Sequence, residues 1–214
     1  MVISPSDKEL EVKFHVSDLA EMERRLVTLG ATLVQPRTHE YNLRFDTPSG
    51  ELGQAESMLR LRRDAASHVT FKGPSTTLGG VLARQEIEFE VSNFGAAQKL
   101  IEALGFRSKF IYEKYRTTYG MDGLKVTLDE MPYGPFVEIE GMQALAIQEA
   151  AKRLNLDWNQ RLPETYISIF RRIKELFSLH FTDVTFANFQ NVEFKIGRAG
   201  VKPADVAVAT EKPV

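Results

Sequence analysis

The sequence predicts an α+β fold: a closed eight-stranded antiparallel β-barrel with helices packed on its outside. Three observations predict it. Short segments alternate charged and apolar residues with period two, which is the pattern of strands with two unlike faces. The apolar stripes able to cover those strands lie on helical stretches. The strands number about eight, an even count that suits antiparallel closure.

Three segments share one grammar: residues 9–16 (ELEVKFHV), 86–91 (EIEFEV) and 136–140 (FVEIE). Each is followed by a helical stretch. After the first, Leu19, Met22, Leu26 and Leu29 recur at helical spacing, with Ser17 or Asp18 to cap the start and Gly30 to end it. After the second, Leu100, Ile101 and Leu104 follow Ser92-Asn93, and Gly105 is the stop. After the third, residues 144–154 run to a break at Asn155. The unequal spacing of these units excludes a solenoid.

Further strands are predicted over residues 40–46, 57–63, 68–72, 110–120 and 124–130, separated by turn residues. Asp122-Gly123, between two alternating runs, is the strongest hairpin signal. After Pro163 an amphipathic helix is expected over residues 164–179, with Ile167, Phe170, Ile173, Leu176 and Phe177 on one stripe. One domain is expected over residues 1–190. Residues 191–214, ending in a patternless Ala/Val/Lys/Pro-rich stretch, read as a disordered tail.

Composition narrows the function. The 214 residues include 27 basic and 29 acidic side chains, which argues against a nucleic-acid partner. No run of 18 or more residues is apolar, which argues against a membrane span. There is no cysteine, and so neither a disulfide nor thiolate chemistry. The four histidines lack ligand spacing, and Gly79-Gly80 lacks the further residues of a phosphate-cradling loop. A cytoplasmic location and, as the commonest assembly, a homodimer are the default expectations.

Alternation assigns the faces. Glu9, Glu11 and Lys13 oppose Leu10, Val12 and Phe14; Arg60 and Arg62 oppose Leu59 and Leu61; Glu86, Glu88 and Glu90 oppose Ile87, Phe89 and Val91. Lys72, Lys114, Arg116, Asp129, Glu138 and Glu140 lie likewise on charged faces. Such a face is either the solvated side of an open sheet or the lining of a closed tunnel. Glu pairs two residues apart repel, which implies counter-charges or a metal. The signs are also segregated by strand, with acids on the first, fifth, seventh and eighth and bases on the third, fourth and sixth. Carboxylates beside Arg and Lys suit a polyphosphate bridged by Mg²⁺ or Mn²⁺. Crowding among the bases further predicts that truncating Arg60, Arg62 or Arg116 relieves repulsion in the free protein.

These residues resemble the CYTH family, the triphosphate tunnel metalloenzymes. Its E-x-E-x-K signature is matched by Glu9, Glu11 and Lys13. The match continues through Phe45-Asp46-Thr47-Pro48, Leu59-Arg60-Leu61-Arg62, Thr70-Phe71-Lys72-Gly73, Lys114-Tyr115-Arg116, Leu128-Asp129 and residues 136–140. Within the family the first strand and residues 134–141 look most like the class IV adenylyl cyclase branch. The resemblance implies a small-molecule triphosphate substrate, with cleavage of ATP to cyclic AMP and pyrophosphate; inorganic or thiamine triphosphatase activity and non-catalytic polyphosphate binding are the alternatives. It implies Glu9, Glu11, Asp129, Glu138 and Glu140 as metal ligands. Lys13, Arg60, Arg62, Lys72, Lys114 and Arg116 are implied to hold phosphate, and Lys13, Arg116 and Glu88 to act in catalysis. Glu86 and Glu88 are expected to orient a basic residue or the organic part of the substrate. Asn42 stands where the cyclase branch leads one to expect an acid.

Overall fold

The computed structural model describes residues 8–78 and 81–205, and of residues 8, 9, 78, 81 and 82 the backbone alone. The three charged-apolar segments form strands β1 (Lys8–His15), β5 (Val81–Glu90) and β8 (Gly134–Gly141). Between them lie β2 (Thr32–Asp46), β3 (Met58–Arg63), β4 (Ser67–Leu78), β6 (Arg107–Met121) and β7 (Leu124–Met131), and a short β9 (Arg161–Leu162) follows. The helices are α1 (Leu19–Thr28), α2 (Glu51–Gln54), α3 (Phe94–Ala103), α4 (Ala144–Arg153), α5 (Tyr166–Leu176) and α6 (Phe186–Phe189).

The strand order is β5-β4-β3-β2-β6-β7-β8-β1, and β1 pairs with β5 to close the ring, every pairing being antiparallel. The open-sheet alternative is thereby set aside. The ninth strand, β9, is a short addition against Lys13 and Phe14 of β1. Asp122 and Gly123 both take positive φ (53° and 78°), the backbone a two-residue hairpin demands, and they join β6 to β7.

Two strands outrun the alternating runs that announced them. β2 begins at Thr32 and passes through Pro36, where it pairs with β6 alone and shifts register twice. A proline lacks the N–H a central strand needs, and this end of β2 has only one neighbour to satisfy. β4 continues past Gly73-Pro74 by a register shift between Lys72 and Ser75.

Helices cover the apolar face as expected. α1 and α4 pack Met22, Leu26, Ile147 and Ala151 onto Val12, Phe14, Val126 and Ile139 of β1, β7 and β8. α5 brings Ile169, Phe170 and Ile173 against Tyr133 and Phe136. α3 lays Ile101 over Leu43, Phe45 and Leu61. Asp18, Asn93 and Thr165 cap α1, α3 and α5 by accepting backbone N–H bonds.

The stretch read as a disordered tail departs from that expectation over residues 191–205. Val201 and Ala204 are buried, the Ala204 N–H donates to the carbonyl of His15, and Asp205 accepts from the N–H groups of Ser17 and Asp18. The sparse pattern hid this because the segment fills gaps one residue at a time and has no periodic face. Gly79-Gly80 and residues 206–214 lie outside the described residues.

Candidate active site

Closure turns the segregation of signs along the sequence into two half-barrels. β4, β3, β2 and β6 stand side by side and carry Lys72, Arg60, Arg62, Arg44, Lys114 and Arg116. β7, β8, β1 and β5 stand side by side and carry Asp129, Glu138, Glu140, Glu11, Glu86 and Glu88. Lys13 and Arg84 on the acid half and Glu40 on the basic half cross this pattern. Most of these side chains are shielded from solvent; Lys114 is 3% exposed and Asp129 fully buried. Buried charge is tolerated only when paired and hydrogen-bonded, and many of the pairs form where the halves meet.

At the β6/β7 seam Asp129 is the hub. Arg116 grips it with two parallel bonds of 2.6 Å, the Lys114 ammonium donates at 3.0 Å, and the Tyr166 hydroxyl donates at 2.7 Å. Arg116 also pairs with Glu138, which meets the Lys13 ammonium at 2.6 Å. Burial pushes the Glu138 carboxyl up, but Lys13, Arg116 and Lys114 outweigh it and hold it well below the usual carboxylate range. Burial pushes Lys13 down, and Glu138 and Glu11 more than reverse this. Both groups are therefore charged in the folded protein.

At the β4/β5 seam Glu88 is the hub. It accepts from Thr70 at 2.6 Å, from Arg60 at 3.3 Å and from Arg62 at 3.2 Å. Arg60 also donates to the Tyr112 hydroxyl at 3.2 Å, and Lys72 meets Glu86 at 2.8 Å. Glu86 and Glu88 thus each contact basic side chains.

Of the residues implied to bind phosphate, Lys13, Arg116 and Lys114 gather at the first seam, Arg60, Arg62 and Lys72 at the second. The expected metal ligands divide. Glu11 lies 3.3 Å from Arg84, and Glu140 pairs with Lys125 near the start of β7. Burial and the neighbouring Glu138 push Glu11 up, while Lys13, Lys72 and Arg84 pull it down, for a net lowering. Both oxygens of Asp129 are engaged by Lys114, Arg116 and Tyr166, and both of Glu138 by Lys13 and Arg116. The Glu9 side chain lies outside the described residues. Among the described residues no three acids or histidines are grouped as a ready metal site. The donors offered by Glu11, Glu138 and Glu140 are nonetheless carboxylate oxygens alone, on the paired strands β1 and β8 with Glu11 opposite Glu140, and that donor set fits a hard divalent cation.

The expectation that losing a base relieves crowding meets acids, not bases, around Arg116. Truncation would take one cationic partner from each of two buried carboxylates, Asp129 and Glu138.

Sequence reasoning passed over several lining residues. Glu40 is 1% exposed, 3.5 Å from Lys114 and 3.8 Å from Arg116. Burial pushes it up, but Lys114, Arg116, Arg62 and Arg60 hold it down to about 2. Its period-two spacing with Asn42 and Arg44 was the available signal. Asn42 is fully buried, and neither its amide oxygen nor its nitrogen has a partner among the described residues. Tyr166 could not have been found by strand alternation, because it reaches the barrel from α5, with Lys13 4.4 Å from its ring centroid. Burial and then Asp129 raise its phenol well above the usual range, so it remains a donor.

The model of the CYTH domain family matches residues 7–172. The chain belongs to the CYTH family. It is thus an enzyme of the metal-dependent triphosphate tunnel family, and the closed barrel with a charged lining is that family's fold. No curated protein sequence is similar enough to match the chain. Among solved structures, a candidate adenylate cyclase from Vibrio parahaemolyticus is 21% identical with a TM-score of 0.69, over 76% of this chain and 97% of that one. A protein from Pyrococcus horikoshii OT3 is 26% identical with a TM-score of 0.63, over 75% and 98%. A candidate adenylyl cyclase from Hippeastrum with a dominant triphosphatase activity is 19% identical with a TM-score of 0.57, over 76% and 95%. No helix among the described residues is long and apolar enough to cross a membrane.

Proposed function

We propose that this CYTH protein cleaves the triphosphate of a nucleotide or similar organic triphosphate, and that ATP is converted to cyclic AMP and pyrophosphate. The observation that carries the reading is the pair of seams, where six cations are held by carboxylates inside a closed barrel. A triphosphate offers these cations new oxygens. Arg116, Arg60 and Arg62 present forks to phosphate, and Lys13, Lys72 and Lys114 add point charge. Because the carboxylates already fix these side chains, little reorganisation is needed as charge grows on the leaving pyrophosphate. Glu11, Glu138 and Glu140 would hold Mg²⁺ or Mn²⁺, which when bound supplies further positive charge to phosphate oxygens. In the cyclase reaction the ribose 3′-oxygen bonds to the α-phosphorus as the bond to pyrophosphate breaks, and the hydroxyl proton needs an acceptor. Glu88, 31% exposed, is the most accessible acid touching the tunnel cations and is assigned that contact.

A second reading, hydrolysis of inorganic or thiamine triphosphate, draws on Asn42. Its unpartnered amide lies inside the barrel where the cyclase branch leads one to expect a carboxylate. Product analysis decides: ATP, inorganic triphosphate and thiamine triphosphate are each incubated with Mg²⁺ or Mn²⁺. Cyclic AMP from ATP supports the first reading. Orthophosphate alone, shifted toward cyclic product by Asn42→Asp, supports the second. No turnover of any substrate rejects both.

A further inference from the structure

Outside the two seams the structure contains a cluster of cations that the triphosphate reading leaves unused. A cavity of about 400 Å³ opens between β2, β6 and α5, and its wall includes Arg44, Lys109, Arg171 and Lys174. Phe110 and Phe170 contribute an aromatic floor. Among the described residues no carboxylate pairs with Arg44, Arg171 or Lys174, and Lys109 donates only to the carbonyl of Pro48, at 3.3 Å. The one acid on the wall, Asp46, is already engaged: its oxygens accept the N–H groups of Thr47, Leu52 and Gly53 at 2.7, 2.9 and 3.0 Å.

This arrangement is the reverse of the two seams, where each cation has an acid beside it. Burial lowers the pKa of Arg44; Tyr112 opposes this, and Arg171, Arg60 and Arg84 lower it further, so cations are among the neighbours of Arg44. Its guanidinium lies 5.3 Å from the Phe110 ring centroid. Like charges held around one concavity repel until an anion enters. A bare inorganic anion would use the cations and ignore the rings, whereas an anion carried on a planar group uses both.

We propose that this pocket is a second binding site, which takes an anionic group borne on an aromatic or heterocyclic ring. The site goes beyond the triphosphate reading and does not depend on what the tunnel cleaves. The anionic ring can belong to a separate molecule or to the organic end of the tunnel's own ligand, and the test separates these sources.

Phenyl phosphate is titrated into the full chain by calorimetry with a chelator present, with and without saturating inorganic triphosphate, and inorganic phosphate serves as the comparison probe. The same titration is run on Arg171→Glu/Lys174→Glu and on the charge-neutral Arg171→Gln/Lys174→Gln, both altered on α5. Phenyl phosphate is expected to bind more tightly than inorganic phosphate. The Glu pair should weaken it by roughly tenfold or more and the Gln pair by less. Binding that persists under triphosphate identifies a separate ligand. Binding displaced by triphosphate yet still weakened by the α5 changes identifies the outer end of one continuous site. If phenyl phosphate does not bind, or if both α5 pairs bind it like the parent, the proposal is overturned. Displacement by triphosphate with no effect of α5 places the probe in the tunnel: the pocket fails while the tunnel reading stands.

Discussion

The middle of the acid half and the middle of the basic half are built on different principles. Between β8 and β1, the acids Glu11 and Glu138 have Lys13 inserted among them, and the wall is close to neutral within itself. Between β3 and β2, Arg44 has no carboxylate among the described residues and Asn42 has no hydrogen-bond partner, leaving Glu40 as the local acid. The seams join the two halves through Asp129 and Glu88. A wall neutral within itself stabilises the fold without a ligand. A wall with surplus cations and an unsatisfied amide gives up some stability, which a polyanion restores on binding.

The sharpest test of this contrast is Arg116→Ala, which cuts the first seam. It should lower stability by about 3 kcal/mol in chemical denaturation, because two buried carboxylates each lose one cationic partner while Asp129 keeps Lys114 and Glu138 keeps Lys13. Triphosphate binding should fall with it. A stability gain would mean that the bases repel one another more than the seam attracts, and the comparison would break.

Next in size is Glu138→Gln. It keeps the shape of the side chain and removes the charge that Lys13 and Arg116 share. Turnover should drop by about 10²-fold or more, and Glu140→Gln should follow the same direction, while Glu90→Gln and Glu175→Gln stay near the parent. Steady-state kinetics with varied Mn²⁺ checks this; equal losses in all four variants would remove Glu138 and Glu140 from the cation site.

Acid titration probes the basic half. The folded pKa of Glu40, about 2, is depressed from an ordinary 4.5. Its stabilising contribution is therefore complete above pH 4.5 and is lost as pH falls toward 2. The difference is on the order of 3 kcal/mol at neutral pH. Glu40→Gln should lose that share at neutral pH and show a shallower decline between pH 4.5 and 3. A decline as steep as the parent's would mean that Glu40 is not held by Lys114 and Arg116.

The smallest expected effect is at Tyr166→Phe, which deletes one hydrogen bond to Asp129. Since Lys114 and Arg116 remain on the carboxylate, the cost should be about 1–2 kcal/mol of stability, with substrate affinity changed only a few-fold. A loss matching that of Arg116→Ala would make α5, and not the seam, the principal support of Asp129.

Period-two alternation was sufficient to place most of the lining, since a strand residue's face follows from its position alone. It assigned Glu11, Lys13, Arg60, Lys72, Lys114 and Glu138 to charged faces that the fold then buries. The helices after β1 and β5 were legible through capping and stop residues, and the helix after β8 through its break at Asn155. Alternation could not choose between a solvated sheet and a closed barrel. That choice rests on the pairing of β1 with β5, a contact between distant segments. Nor could it tell which cation each acid would meet. Asp129 and Glu138 look alike in sequence, but only Asp129 has Tyr166 arriving from α5 to donate a further bond. Local pattern determined which side chains share a face, because that depends on backbone geometry within one strand. The partner of each charge was decided by tertiary structure, because pairing depends on which strands the closed barrel makes neighbours.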